Sequence, residues 1–229
     1  MGDNLGDRMK GNYEKRCQTH LVRRTPVIMH LDGRAFHTLT RGMDKPFDEW
    51  FINSMRNTAL ALVKDIQGAK CAYVQSDEIS ILITDFDRLT TAAWFDYNVQ
   101  KMTSISASVA SVYFTANMGM KGYFDSRVFN LPKEEVCNCF IWRQKDWLRN
   151  SIQMLSQHHF SHRELHGKNT SDMHEMLHTK GINWADLPDH LKNGIFIEYK
   201  DEMWQIAKPC PIFTQERDVI EKLLIPVEE

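Results

Sequence analysis

The order of the apolar runs is the feature that most limits what this chain can fold into. Residues 26–31 form an apolar run that predicts a first strand, and a helix is predicted from about Asp48. A single buried stripe is predicted along one face of this helix, at Phe51, Met55, Thr58, Leu62 and Ile66. Gly68 is expected to end the helix.

A hairpin, a longer helix and a last strand follow. Residues 73–74 and 79–83 flank a polar turn and predict two paired strands. A second helix is predicted from Thr90 to about Met118, and residues 117–122 break it. Its rougher apolar stripe consists of Trp94, Met102, Ile105, Val109 and Val112. Residues 127–131 are the fourth predicted strand.

This βαββαβ order is typical of the ferredoxin-like split β-α-β unit, which is also the core of polymerase palms and nucleotide cyclases. The predicted fold class is therefore α+β with an antiparallel sheet. A chain of 229 residues, 42% of them hydrophobic, suits one core rather than two. We predict a palm-like catalytic core over residues 1–131. Residues 132–229 are predicted to add a helical extension and a C-terminal β-hairpin, packed on the core as a single globular unit.

The predicted topology brings acidic residues together at one edge of the sheet. Asp32 follows the first strand, and Asp77 and Glu78 lie in the hairpin turn. Convergent carboxylates suit two divalent cations about 4 Å apart, which activate an attacking oxygen and stabilise a leaving group. Gly33 fits such a site, because without a Cβ its carbonyl can approach a metal. Taken separately, each segment is also typical of an ordinary turn, and the strand order favours the metal site.

Charge and cysteine content narrow the class of protein. The net charge of -2 is not that of a general nucleic-acid binder, so RNA contacts are expected to use local patches. One such patch is residues 1–45, with nine Lys and Arg against five acids. The five cysteines lack a CxxC spacing, which predicts reduced thiols in a cytoplasmic protein. The chain has a polar start and no apolar run of ~20 residues, so no signal peptide and no membrane span are expected.

The motifs of this chain together resemble the tRNA-His guanylyltransferases and the related guanylyltransferase-like proteins, which extend RNA at its 5′ end. The specific pair is Leu-Asp-Gly-Arg-Ala-Phe-His at residues 31–37 and Gln-Ser-Asp-Glu at residues 75–78. Further matches are Gly-Asp-Arg-Met-Lys at residues 6–10, Lys-Pro at 45–46, Phe-Asp-Ser-Arg-Val at 124–128 and Trp-Arg-Gln at 142–144. They follow the order of the family over most of the chain.

The resemblance implies a reverse-direction nucleotidyltransferase with two Mg²⁺ ions in each active site. ATP would adenylylate a 5′-monophosphate, and the 3′-hydroxyl of an incoming nucleotide would then displace AMP. The implied catalytic residues are Asp32, Asp77 and Glu78, and the implied metal ligands are Asp32, the Gly33 carbonyl and Asp77. The implied nucleotide-binding residues are Arg34, Ala35, Phe36, His37, Lys45, Ser76, Asp77 and Lys101. Lys101 is included for its place in the second helix.

The implied partners are tRNA, ATP, GTP and other nucleoside triphosphates, and the implied assembly is a homotetramer. One segment departs from the pattern: where the tRNA-His enzymes carry His-Ile-Asn-Asn, this chain reads Leu-Arg-Asn-Ser at residues 148–151. The departure favours the branch that repairs 5′-truncated tRNAs by template-dependent addition. A dedicated tRNA-His guanylyltransferase is the alternative.

Two more distant hypotheses remain. His174, Glu175 and His178 fit the H-E-x-x-H pattern, in which two histidines one helical turn apart bind zinc and the glutamate acts as a general base. That pattern would indicate a metallopeptidase, although no compelling third ligand follows. The other hypothesis is a non-catalytic RNA-binding module on the same fold.

Overall fold

The structure, a computed structural model that describes residues 4–226, is built around a six-stranded antiparallel sheet. Its strands are β1 Val27–Gly33, β2 Ala69–Gln75, β3 Glu78–Ile83, β4 Phe124–Asn130, β5 Ile195–Lys200 and β6 Met203–Ile206. The spatial order is β4-β1-β3-β2-β5-β6, and each neighbouring pair is antiparallel. The predicted α+β class is confirmed.

Helices cover both faces of this sheet. In the described part of the chain they are α1 Leu5–Asn12, α2 Phe36–Leu39, α3 Glu49–Asp65, α4 Val99–Met118, α5 Lys133–His159, α6 His162–Leu165, α7 Thr170–Thr179, α8 Asp189–Asn193 and α9 Asp218–Glu221. Helices α3 and α4 pack on one face of the sheet, and α5 packs on the other. No helix between residues 4 and 226 has the length and apolarity to cross a membrane.

Strand β1 is buried on both faces, which explains its continuous apolar sequence. Val27, Met29 and Leu31 belong to the core under α3 and α4, whereas Ile28 belongs to the core under α5. Because side chains alternate along a strand, His30 and Asp32 also point to the α5 face. Two apolar layers thus fix the position of this central strand.

Helix α3 confirms the prediction made from its apolar stripe. Its N-cap is Asp48, whose carboxylate accepts a hydrogen bond from the Phe51 amide at 2.8 Å. The helix ends at Asp65, three residues before Gly68. Gly68 has φ +83°, and a Cβ there would lie 2.4 Å from the Thr84 carbonyl oxygen. Glycine at this position therefore permits the close approach of β2 and the end of β3.

The predicted start and face of the second helix are wrong. Helix α4 begins at Val99 instead of Thr90, after Asn98 as N-cap, and residues 94–97 form a 3₁₀ turn. Its buried residues recur every four positions, and they are Met102, Ser106, Ala110, Phe114 and Met118. Ile105 and Val112 are 42% and 67% exposed. Small residues bring α4 close to the sheet, where the Ser106 hydroxyl donates to Ser126 Oγ at 2.8 Å, so an apolar stripe alone misidentifies the face.

Two boundaries in the second half also differ from the prediction. Strand β4 begins at Phe124, three residues before the predicted start, and ends at Asn130. The C-terminal hairpin of β5 and β6 is confirmed, and it extends the sheet because β5 pairs with β2. The proposed division of the chain at residues 131 and 132 stays a prediction.

Candidate active site

Two acidic segments meet at one edge of the sheet. Asp32 lies opposite Glu78 in the β1–β3 register, and the Gly33 amide donates to the Asp77 carbonyl oxygen at 3.1 Å. Asp32 and Gly33 are the last two residues of β1, so the expectation that they lie beyond the strand is wrong. The structure nevertheless places Asp32 and Asp77 at the same edge, as the strand order predicts. We call this region the carboxylate edge.

The electrostatics of this edge favour a bound cation. Burial raises the pKa of Asp77 above its ordinary value of 3.8, and the negative charge of Asp32 raises the pKa further. Hydrogen bonds from the backbone and from Ser76 offset part of this shift. Asp32 has one cationic partner, Arg127, at 3.3 Å, whereas Asp77 forms no ion pair with any residue between 4 and 226. A divalent cation would relieve the repulsion between the two carboxylates.

The donor set fits magnesium. Carboxylates and backbone carbonyls are the oxygen ligands that Mg²⁺ prefers, and the ion usually takes one or two carboxylates together with phosphate oxygens and water. No group of three or more His, Cys, Asp and Glu side chains in the described part of the chain is arranged to hold a metal. Asp32, the Gly33 carbonyl and Asp77 therefore suit ions that also bind substrate phosphates.

Glu78 belongs to a polar network on the α5 face of the sheet. Its Oε2 accepts hydrogen bonds from Gln75 at 2.8 Å and from Arg143 at 3.1 Å. Burial raises the pKa of Glu78, and the charge of Arg143 and the Gln75 hydrogen bond oppose that shift. Burial, and then the charge of Arg143, lowers the pKa of nearby His30 to about 3, so this imidazole is neutral at physiological pH. The network holds the Glu78 carboxylate in one orientation beside Asp32.

Gly33 has a packing role that the sequence did not reveal. A Cβ at this position would lie 2.6 Å from the ring of Phe36. That ring is buried among Phe51, Phe114 and Phe124 at centroid distances of 5.0–6.0 Å. Glycine is therefore required for the turn to pack on this aromatic cluster, whatever its carbonyl binds.

A cavity of about 320 Å³ opens beside the carboxylate edge. Its wall includes six predicted nucleotide-binding residues, Ala35, Phe36, His37, Lys45, Ser76 and Asp77. Apolar side chains form much of the remaining wall, including Phe51, Ile52, Met55, Met154 and Ile195. Concave sites with largely apolar walls and a few polar groups are typical of small-molecule binding.

Two predicted residues lie away from this cavity. Arg34 is exposed, and its amide donates to the Tyr123 carbonyl at 2.8 Å. Lys101 is in the first turn of α4, whereas Ser111, ten residues later, bonds the Phe124 amide near the carboxylate edge. Lys101 does not line the cavity, and its role in binding nucleotide stays a prediction.

Sequence reasoning missed several residues of the cavity wall. Thr40 lines the cavity, and its carbonyl accepts a hydrogen bond from Lys45 Nζ at 3.0 Å. Trp147 and His190 also line it, and they come from α5 and α8, far along the chain. Arg143, which binds Glu78, belongs to the Trp-Arg-Gln match at residues 142–144. This match was the signal for Arg143 in the sequence, but it did not show that the residue contacts Glu78.

The zinc-site hypothesis lacks a complete set of ligands. His174, Glu175 and His178 lie on α7, whose buried residues are Met173 and Leu177. The His174 ring packs edge-on against the ring of Trp184 at a centroid distance of 5.6 Å. Within residues 4–226 no third ligand joins the two histidines. The motif is explained by a histidine-rich helix that packs through its apolar side.

The antiparallel sheet with two acidic segments beside a cavity suits phosphate transfer, and with the comparisons that follow the class of this protein is that of a nucleotidyltransferase. The family model for tRNAHis guanylyltransferase matches residues 6–132, which is more than half of the chain. The chain belongs to the tRNAHis guanylyltransferase family.

Similar structures and relatives agree with this assignment. A bacterial tRNA(His) guanylyltransferase-like protein in complex with ATP is 44% identical, with a TM-score of 0.92, over 96% of this chain and 99% of that one. The same kind of protein in complex with GTP is 41% identical, with a TM-score of 0.86, over 97% of this chain and 99% of that one. A protein of Acanthamoeba polyphaga mimivirus is 28% identical over 85% of this chain and 76% of its own length.

Proposed function

We propose that this protein is a template-dependent 3′-to-5′ nucleotidyltransferase that repairs tRNAs with incomplete 5′ ends. The observation that carries the proposal is the cavity beside Asp32 and Asp77, in a chain 44% identical to a guanylyltransferase-like protein that binds ATP. Six of the eight residues expected to bind nucleotide line that cavity.

Each of the two steps forms one new bond to phosphorus and releases one leaving group. In the first, an oxygen of the RNA 5′-phosphate attacks the α-phosphorus of ATP, and pyrophosphate leaves. In the second, the 3′-hydroxyl of an incoming nucleoside triphosphate attacks the RNA 5′-phosphorus, and AMP leaves. When bound, two Mg²⁺ ions would acidify the attacking hydroxyl, polarise the phosphate and shield the leaving group.

The residues of this chain would prepare both steps. Asp32, the Gly33 carbonyl and Asp77 would hold the metal ions. Lys45 and Ser76 lie in the same cavity wall, where an ammonium group and a hydroxyl can bind triphosphate oxygens. Arg143 holds Glu78 at 3.1 Å and so keeps a third carboxylate in place beside Asp32.

The segment at residues 148–151 supports repair over a dedicated tRNA-His role. Arg149 pairs with Asp146, and Asn150 Nδ2 also donates to Asp146, at 3.3 Å. The Ser151 hydroxyl donates to the Leu191 carbonyl at 2.6 Å and accepts from Trp184 Nε1 at 3.0 Å. Ser151 thus joins α5 to other segments of the chain, whereas Arg149 and Asn150 bind Asp146 on the same helix.

An incorporation assay separates the candidate functions. The protein would be incubated with ATP, Mg²⁺ and each nucleoside triphosphate on two kinds of substrate: tRNA-His without its extra 5′ guanosine, and other tRNAs without their first nucleotide. Repair predicts addition to both kinds, with the base directed by the opposite strand. Guanosine addition to tRNA-His alone would favour the dedicated enzyme, and RNA binding without any addition would favour the non-catalytic module.

Two further parts of the proposal concern assembly and location. A homotetramer, in which one subunit holds RNA for another, would combine basic patches that are small on a single chain. Sedimentation analysis with and without tRNA tests this assembly. The cytoplasmic location stays a prediction.

A further inference from the structure

One tryptophan close to the carboxylate edge is exposed to solvent. Trp142 lies on α5, outside the cavity wall, and it is 56% exposed. The next residue, Arg143, donates to Glu78 Oε2 at 3.1 Å, and Glu78 lies opposite Asp32 in the sheet. Tryptophan is enriched in binding surfaces, because its large ring supplies much contact area. Its exposure beside the candidate active site therefore indicates a surface for a second ligand.

Arg143 holds the Trp142 ring in place. The guanidinium carbon of Arg143 lies over the ring at 4.1 Å from its centroid, in cation–π contact. The same guanidinium binds Glu78, and the Arg143 side chain is only 13% exposed. Because a fixed cation covers one face of the indole, the exposed area lies on the opposite face and the edges. A ring oriented in advance loses little conformational entropy when a ligand stacks on it.

The sheet is open on the α5 side next to Asp32. The β4 side chains on this side are Asp125, Arg127 and Phe129, and all three are exposed. Arg127 pairs with Asp32 at 3.3 Å, so this open strip borders the carboxylate edge. The core under α5 is formed instead with residues of β1, β2, β3 and β5. The strip over β4 therefore leaves space for a ligand that ends at Asp32.

A cation lies beside Trp142 on the exposed side of α5. Lys145 follows three residues later, so the two side chains project from the same side of the helix. Lys145 is exposed, and no carboxylate between residues 4 and 226 forms an ion pair with it. An aromatic ring beside a cation is how many proteins bind single-stranded nucleic acid, with the ring stacked on a base and the cation on a phosphate. One ring is small for a protein interface, which buries about 800 Å² on each partner.

We propose that Trp142 stacks on the 5′-terminal base of the RNA, and that Lys145 binds a phosphate of the same strand. Stacking fixes the terminal nucleotide so that its 5′-phosphate reaches Asp32 and Asp77. The contact does not depend on the identity of the base, because every base has an aromatic face. This inference rests on the proposed function, because it describes how the RNA of that reaction is held.

Binding measurements with abasic RNA test the stacking contact. The RNA is a tRNA acceptor-stem hairpin with a 5′-monophosphate, prepared intact, with an abasic 5′-terminal nucleotide, or with an abasic third nucleotide. We expect the wild-type protein to bind the terminally abasic RNA about tenfold more weakly than the intact RNA, since one stacked base is lost. Trp142→Ala should bind the intact RNA about tenfold more weakly than the wild type does, and it should not distinguish the intact from the terminally abasic RNA.

Three further variants separate stacking from other contacts. Trp142→Phe should restore most of the preference for the terminal base, because a phenyl ring also stacks. Lys145→Ala should weaken the binding of intact and abasic RNA by the same factor, since a phosphate contact is independent of the base. Tyr199→Ala is the matched control and should leave all affinities unchanged. Tyr199 is also an exposed aromatic residue, but the register of β5 with β2 places it away from the carboxylate edge.

Nucleotide binding should be independent of the exposed ring. The probe is α,β-methylene ATP, which cannot be cleaved at the α-phosphorus. Trp142→Ala should bind it as tightly as the wild type does, because Trp142 does not line the cavity. A loss of this affinity equal to the loss of RNA affinity would show a general disturbance of the site and overturn the specific contact with RNA.

The outcomes against the proposal are distinct. Equal affinity of the wild-type protein for intact and terminally abasic RNA would overturn it, and this result does not depend on any variant folding. An equal loss for the third-position abasic RNA would also overturn the terminal contact. If Trp142→Ala kept the base preference but changed the sedimentation of the protein, the ring would belong to a subunit interface instead. Base-dependent binding without addition to any tRNA would contradict the proposed repair function alone, and repair without base-dependent binding would overturn this inference alone.

Discussion

The two ends of the central sheet differ in whether the protein neutralises the charge of a buried carboxylate. Just beyond the end of β3, Asp85 is fully buried, and it accepts hydrogen bonds from Arg23 Nε at 2.6 Å and from the Arg24 amide at 2.8 Å. At the carboxylate edge, Asp77 has a pKa raised by burial and forms no ion pair within the described chain. The first carboxylate is neutralised by the protein, and the second is not.

The difference separates a structural role from a chemical one. Arg23 also reaches Asp96 at 3.1 Å and the Thr91 carbonyl at 3.1 Å, so it ties the segment before β1 to the loop before α4. Among residues 4–226 no comparable set of cations surrounds Asp77, which leaves its negative charge available to a metal. Asp85 and Asp77 both lie near an end of the sheet. The residues around each carboxylate, and not its position, distinguish the two roles.

The largest expected effect is the loss of activity on removing the charge at Asp77. Asp77→Asn should lower nucleotide addition to a 5′-truncated tRNA by about 10³-fold or more, because it removes a charged ligand from the proposed metal site. The measurement is single-turnover incorporation with ATP and Mg²⁺. Asp186→Asn is the control, since this carboxylate is exposed and lies outside the cavity wall. Retained activity of Asp77→Asn would contradict the proposed role.

Asp85→Asn should lower the stability of the fold and leave nucleotide addition largely unchanged. Its carboxylate receives two short hydrogen bonds, one of them from a guanidinium, so the substitution should lower the free energy of unfolding by about 2 kcal/mol. Urea denaturation checks this value. The comparison between the two ends would fail if Asp85→Asn reduced incorporation as strongly as Asp77→Asn at a temperature where both variants are folded.

A smaller effect, of opposite sign, is expected for the stability of metal-free Asp77→Asn. Folding raises the pKa of Asp77, so as the pH increases the unfolded chain loses this proton first. The stability of the wild-type protein therefore falls as the pH rises from the unfolded pKa through the folded pKa, and the full penalty remains above the latter.

Asp77→Asn removes this penalty, and its Tm at pH 7 in EDTA should exceed that of the wild type. Thermal unfolding between pH 4 and 8 checks the sign, because the difference in Tm should shrink as the pH falls. A Tm below the wild-type value at pH 7 would show that the Asp77 carboxylate stabilises the metal-free fold.

The smallest effect is expected at Lys101, which does not line the cavity. Lys101→Ala should change the affinity for α,β-methylene ATP less than twofold. Lys45→Ala is the matched variant in the cavity wall, and it should weaken binding by about tenfold, since one charge-assisted hydrogen bond is lost. A larger loss for Lys101 than for Lys45 would place the triphosphate elsewhere.

Local patterns predicted most of the fold and part of the site. The apolar stripe of α3 and the polar turn between β2 and β3 were sufficient to identify these elements. The same reasoning failed for α4, because the buried positions Ser106 and Ala110 are small or polar and leave no apolar signal. Packing against the sheet selected that face, and packing depends on residues distant in the sequence.

The sequence by itself determined the strand order and therefore the meeting of Asp32 with Asp77, because an antiparallel βαββ arrangement places the end of β1 beside the hairpin turn. Only the tertiary structure decided the surroundings of these carboxylates. It brought Arg143 and Trp147 from α5 to the end of the sheet, and it left Arg34 and Lys101 outside the cavity wall. Hydrogen bonding and burial between distant segments have no local sequence pattern, and here they set which polar groups are neutralised and which face the cavity.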